Sequence, residues 1–345
     1  GDAYYRSRRE PPPSALQGID AAFDPLATVV AEARRRGLAV HAWVNVHLVA
    51  GIGPLPDDRA HLVRARPQWL AVPRELGREL YGVDPASPRY AEALLRYARK
   101  KRDRIEGIYT SPAHPAVADH VVGVLEDLAA GYDLDGIHLD YIRYPAPDFD
   151  YARPALEAFR ARVDPHLPPE QRRALAKAYR SDPFAYADAL PERWEAFRRD
   201  RVTELVRRAY FRVKERNPDL LVTAAVRPDP EEARRDRFQD WASWLQAWVL
   251  DAAVLMAYTE KEELFRRWIE TATERLGGER IWAGVGLYKT TARGSVEQIR
   301  AARARGVRGI SLFSYDWAVG EGSRLEPGEP LLGRIGREAF GVGSR

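Results

Sequence analysis

Apolar positions along this chain recur in two alternating rhythms. Stretches with one apolar face at helical spacing end at Gly or Asn-Pro, and short, almost continuously apolar runs follow them. The spacing predicts helices over 21–36, 115–130, 198–216, 241–249, 262–276 and 296–305. The runs between them predict strands over 39–45, 136–142, 220–226, 252–258, 281–288 and 309–314. Within 198–216, Val202, Leu205, Val206, Ala209 and Val213 share one helical face. Gly37, Gly131, Gly277 and Gly306 mark stops, because glycine tolerates the left-handed backbone that closes a helix. Strands apolar on both faces are strands covered on both faces, as in a parallel sheet. Six helix–strand units in series therefore predict an α/β fold. A closed (β/α)8 barrel and an open doubly wound sheet both satisfy the pattern. No G-x-G-x-x-G follows a predicted strand, which counts against the dinucleotide-binding version.

Two connections are too long to be simple loops. Residues 49–114 are rich in Pro and Gly and contain short apolar pieces at 69–72 and 107–110. Residues 144–194 carry several prolines and a predicted helix near 168–180. In a barrel both would follow strands, and so would lie on the face that carries chemistry. The chain reads as one domain over 1–345 with these two insertions and a Gly-rich peripheral tail from about 321.

Composition narrows the classes. Of 345 residues, 45% are hydrophobic and 30% charged, enough to bury a core. Cysteine is absent, which excludes disulfides and thiolate metal sites. No apolar run approaches the ~18 residues of a membrane span, and no signal peptide is visible in the polar, basic 1–13. The net charge of +4 comes from Arg interleaved with Glu and Asp. That pattern is a solvated helix surface rather than a nucleic-acid interface, and leaves at most a mild attraction to acidic glycans.

The most informative segment is Asp135-Gly136-Ile137-His138-Leu139-Asp140-Tyr141-Ile142-Arg143-Tyr144-Pro145. Strand side chains alternate, so Ile137 and Leu139 share one face while His138, Asp140 and Ile142 share the other. A carboxylate at a strand's C-terminal end is costly unless paired or hydrated, and in a barrel it stands where catalysis occurs. The plain alternative is that Asp140 caps the next loop or pairs with Arg143. Asp135, just before a glycine, reads as a turn residue. His138 reads as a core histidine before a metal ligand, and no H-E-x-x-H is present, so no metal or cofactor is expected.

These residues resemble the signature of the bacterial family 10 glycosyl-hydrolase-like proteins, which are distinct from the family 10 xylanases. Further matching pieces follow in the family's order, among them Gly1-Asp2-Ala3-Tyr4-Tyr5, His41-Ala42-Trp43-Val44-Asn45, Ser111-Pro112-Ala113-His114-Pro115, Met256-Ala257-Tyr258-Thr259 and Gly309-Ile310-Ser311-Leu312-Phe313-Ser314-Tyr315. The resemblance implies a (β/α)8 TIM barrel whose first two strands lie upstream of this chain. It also implies glycoside hydrolysis with Asp140 as the proton-donating carboxyl group, and an exported or envelope-associated protein. The expected partner is a bacterial polysaccharide, with envelope and amino-sugar glycans as candidates. A non-catalytic carbohydrate-binding barrel is the alternative.

Glycoside hydrolysis usually takes two carboxyl groups. By position the second is Glu260, which shares an alternating face with Met256 and Tyr258, or Asp316, which follows Phe313-Ser314-Tyr315; Asp229 ranks third. Sugar faces stack on flat apolar rings with polar tips. Trp43, Tyr109, Tyr144, Tyr258, Tyr288 and Trp317 sit at or just past predicted strand ends, with Asn45, His138 and Arg143 as polar contacts. Trp241, Trp244 and Trp248 have helical spacing and read as core.

Overall fold

The computed structural model describes residues 1–20, 22–319 and 331–341. Its strands, in chain order, are β1 (His41–Asn45), β2 (Leu48–Gly51), β3 (Gly107–Tyr109), β4 (Gly136–Asp140), β5 (Leu221–Val226), β6 (Ala252–Leu255), β7 (Ile281–Gly286) and β8 (Gly309–Phe313). β1 and β4 to β8 are the six expected strands. β1 pairs parallel with β4, and β5, β6, β7 and β8 pair parallel in sequence. Helices Pro25–Arg35, Pro115–Gly131, Pro191–Arg216, Trp241–Gln246, Glu262–Leu276 and Ala292–Ala304 precede them in turn. This is the α/β alternation of a (β/α)8 barrel, with six of its parallel strands among the described residues.

By contact density the chain divides into two compact units. One comprises Gly1–Leu221 with Arg235–Gln239, the other Val222–Arg234 with Asp240–Arg345. In the first unit, Ala42, Ile137 and Leu139 are buried. Helix Pro115–Gly131 packs along helix Pro191–Arg216. Proline at the N-terminus of both helices suits the first turn, where an N–H would have no partner.

The two long insertions fold on each other. Helices Arg74–Leu80 and Pro88–Lys100 of the first, and Arg153–Val163, Pro169–Ala178 and Ala185–Ala189 of the second, enclose one apolar cluster. Leu70, Leu94, Phe159, Phe184 and Trp194 are among its members. At its edge Arg74 pairs with Asp188 at 2.6 Å and Arg78 with Asp182 at 3.0 Å, while Tyr81 and Tyr179 share a 2.7 Å hydroxyl contact. Half-exposed pairs like these add little stability singly, so burial of the cluster holds the insertions together.

In the second unit Trp241 and Trp244 are fully buried, as expected, whereas Trp248 is 70% exposed. The helix stops at Gln246 and Trp248 takes a left-handed φ of 57°, so it leaves the helical face of the other two. The Arg280 guanidinium covers its ring at 4.2 Å. Of the stretch from about 321, residues 321–330 and 342–345 lie outside the described residues. Helix Leu331–Phe340 packs against Ala292–Ala304.

His47 is fully buried, its Nδ1 lies 3.1 Å from Thr110 Oγ1, and burial pushes its pKa down to about 3. An unfolded histidine takes a proton below about pH 6.5, whereas the folded one resists until about 3. Between those values the unfolded chain binds more protons, so stability is complete above pH 6.5 and falls as pH drops through this window. Urea unfolding from pH 7 to 4 should show a loss of several kcal/mol, and His47→Asn should flatten that slope. An identical slope in the variant would remove His47 as its source.

Candidate active site

The candidate site of the first unit starts from the β1–β4 register. Trp43 pairs with His138 and Asn45 with Asp140, so all four share one strand face. Gly136 makes this close pairing possible. A Cβ there would lie 2.4 Å from His41 Nδ1 and 2.8 Å from Leu221 O. Asp135, expected to set a turn, ties the strand entrances together by accepting the Val40 N–H at 2.7 Å.

Asp140 ends β4 and is 9% exposed. The Trp43 indole N–H donates to its Oδ2 at 3.2 Å and the Tyr141 N–H to its Oδ1 at 2.7 Å, while the Arg143 guanidinium reaches Oδ1 at 3.4 Å. Tyr141 carries a left-handed φ of 52°, a conformation that costs a bulky residue about 1–3 kcal/mol. That turn ends the strand two residues before the predicted 142 and aims the Tyr141 N–H back at the carboxylate.

Arg143 lies over the Tyr141 ring at 4.4 Å and is nearly buried. Its Nη2 lies 3.7 Å from the Glu106 carboxylate. Burial works against the guanidinium charge, yet Tyr109, Asp140 and Glu106 around it outweigh that and raise its pKa. Glu106 in turn accepts a 2.5 Å hydrogen bond from the Tyr109 hydroxyl. Burial, then the Glu106 charge, push the Tyr109 hydroxyl well above the usual phenol range. For His138, burial depresses the imidazole pKa and Asp140 partly offsets the effect.

The expected ring residues divide by position. Trp43 is 58% exposed, and Asn45 is exposed beside it. Tyr109 and Tyr144 are buried, and Tyr144 packs edge-on against Phe238 at 5.3 Å, so neither offers a ring face to solvent. Tyr144 stands inside because Phe238 and the chain beside it cover it, and Tyr109 because it belongs to the β2–β3 pair. A cavity of about 500 Å³ is lined by Trp43 and Asn45 together with Tyr4, Tyr5, Glu10 and Trp69. Asp140 and Glu106 are not among its lining residues, and the nearest link is Trp43, which lines the hollow and bonds to Asp140.

In the second unit Tyr258 stacks on Phe313 at 5.3 Å, Tyr288 meets Tyr258 at 6.0 Å, and Tyr288 meets Trp317 at 5.6 Å. Gly286 makes room for this group, since a Cβ there would lie 2.9 Å from Tyr258 Cβ. Glu260 and Asp316 are both exposed, beyond β6 and β8, and Asp229 caps its own loop by accepting the Glu231 and Glu232 N–H groups. Sequence reasoning missed Glu106, Tyr141 and Phe313. Only the apolar piece 107–110 pointed toward Glu106, and its place beside Arg143 depends on the pairing of β2 with β3.

The glycosyl hydrolase-like 10 family model matches residues 96–304, more than half of the chain. The chain belongs to that family. It is 27% identical over 151 residues to glycosyl hydrolase YngK of Bacillus subtilis (strain 168), covering 42% of this chain and 23% of that protein. It is 22% identical over 322 residues to glycosyl hydrolase DigH of Escherichia coli (strain K12), covering 92% of this chain and 60% of that protein. The chain thus spans under two thirds of both relatives. Among solved structures it resembles the PgaB (BpsB) glycoside hydrolase domain from Bordetella bronchiseptica, with a TM-score of 0.58 at 16% identity over 93% of this chain and 80% of that one. At that identity the likeness is one of fold, and it agrees with the TIM-barrel class.

Removing Arg143 leaves two carboxylates without their shared cation. Arg143→Met should cost about 3–5 kcal/mol in urea unfolding, the usual penalty for breaking a buried pair from one side. A loss within 0.5 kcal/mol, the range of about any surface substitution, would show that the guanidinium does not hold this cluster.

Proposed function

We propose that this chain is a glycoside hydrolase in which Asp140 supplies the carboxyl group that protonates the leaving glycosidic oxygen. One observation carries the reading: Asp140 ends a parallel strand, with the indole of a largely exposed Trp43 bonded to it. An acid at that place can reach an oxygen held against the indole, because ring and carboxyl group sit on one strand face. The indole supplies the flat apolar surface on which a pyranose stacks. Membership of a glycosyl hydrolase-like family and the names of the relatives support hydrolysis as the reaction class.

The substrate we propose is a bacterial polysaccharide, with envelope and amino-sugar glycans first, met by an exported or envelope-associated protein. The glycoside hydrolase fold of the Bordetella neighbour and the exposed Trp43 ring at the cavity support a glycan as ligand. Glu260 and Asp316 remain the second carboxyl groups that chain position alone suggests.

The test compares wild type with Asp140→Asn on a panel of oligosaccharides. The variant should fold normally and lose about 100- to 10,000-fold in kcat, the usual worth of a general acid. Equal turnover would take Asp140 out of the mechanism. Glycan binding without product release by wild type would instead identify a carbohydrate-binding barrel.

A further inference from the structure

We propose that Glu106 is the second catalytic carboxyl group, the base that activates water opposite Asp140. The assignment rests on the hydrolase reading above and, in place of chain position, on the guanidinium that the two acids share. A single guanidinium, that of Arg143, reaches Asp140 at 3.4 Å and Glu106 at 3.7 Å. Two carboxylates on one planar fork lie under roughly 10 Å apart, a bound that admits the spacing of retaining and of inverting glycosidases alike, and the openness of Glu106 to water is what favours inversion.

The two acids differ in access as their roles require. The Asp140 side chain is nearly enclosed, at 12% exposure, while that of Glu106 is 42% exposed and open to water. Tyr109 holds Oε2 of Glu106 at 2.5 Å. The opposite oxygen stands 3.7 Å from Arg143, longer than a direct charge-assisted hydrogen bond of about 2.7–2.9 Å. That oxygen keeps a lone pair for a water molecule.

The backbone under Glu106 is fixed. Gly107 follows it, and a Cβ at 107 would lie 2.0 Å from Ala50 O, so only glycine lets β3 press this closely onto β2. The two-stranded pair therefore presents Glu106 at a set height beside Arg143 rather than on a free loop.

The step balances as follows. Water oxygen attacks the anomeric carbon while Glu106 takes one of its protons. The carbon–oxygen bond to the departing sugar breaks with its electron pair on the leaving oxygen, which takes the Asp140 proton. Solvent returns the proton from Glu106 to Asp140, and the anomeric configuration inverts.

The experiment starts with wild type against reducing-end-labelled oligosaccharides of α- and β-linked amino and neutral sugars. No cleavage anywhere overturns the hydrolase reading, and this assignment with it. On the oligosaccharide that is cleaved, Glu106→Gln should lower kcat about 1,000-fold at nearly constant KM, under conditions where urea unfolding shows the variant to be still folded. On the 2,4-dinitrophenyl glycoside of the same sugar the leaving group needs no proton. Asp140→Asn should regain most of its activity there, and Glu106→Gln should not. Sodium azide should restore Glu106→Ala and give the glycosyl azide of inverted configuration. Cleavage by wild type together with a fully active Glu106→Gln, a defect confined to KM, or a retained anomeric configuration would each overturn the role of Glu106 while leaving the hydrolase reading in place.

Discussion

A guanidinium almost shut off from water is tolerable only where acceptors replace the lost hydration, and Arg143 meets that demand with two carboxylates and a ring. The demand links three parts of the chain that lie far apart in sequence. Asp140 belongs to a barrel strand, Glu106 to the entrance of β3 within the first insertion, and Tyr141 to the turn between Asp140 and Arg143. Move any of them and a buried cation is left short of acceptors. The left-handed backbone at Tyr141 makes sense in these terms. Its local cost of about 1–3 kcal/mol is offset because the same turn directs an N–H at Asp140 and a ring under Arg143.

The insertions matter for the same reason. Their shared apolar cluster is built from helices on both sides of β4, and it fixes the chain that carries β2 and β3. Burial of rings such as Phe159, Phe184 and Trp194 supplies the rigidity that a pair of loops would lack. Tyr109 is buried beside β2, and its hydroxyl donates to the Glu106 carboxylate. Packing thus sets the position of a polar group at the edge of the site.

Much of the fold was legible in the sequence. All six parallel strands lie where continuous apolar runs foretold them, because a strand covered on both faces needs little more than short apolar runs. Strand ends were less legible: β4 stops at Asp140 and β6 at Leu255, each short of the apolar run, since a turn rather than hydropathy decides the end. Asp140 could be chosen by alternation, and Trp43 and Asn45 by their place at a strand end, and the structure brings the three onto one face. Tyr144 and Tyr109 were legible as residues near strand ends but not as buried ones, because their burial comes from chain folded dozens of residues away. Trp248 shows the converse. Helical spacing put it with Trp241 and Trp244, but the helix ends two residues earlier.

Glu106 had no signal of its own, and the reason is general. Chain position finds an acid when the strand that carries it belongs to the repeating pattern, as with Asp140, Glu260 and Asp316. An acid delivered by an insertion obeys no such period. What marks Glu106 is a partner, since a buried arginine three residues past a strand-end aspartate needs more anionic company than that aspartate gives at 3.4 Å. In a barrel with long insertions, a buried cation next to a strand-end acid therefore leads to acids that distance along the chain misses.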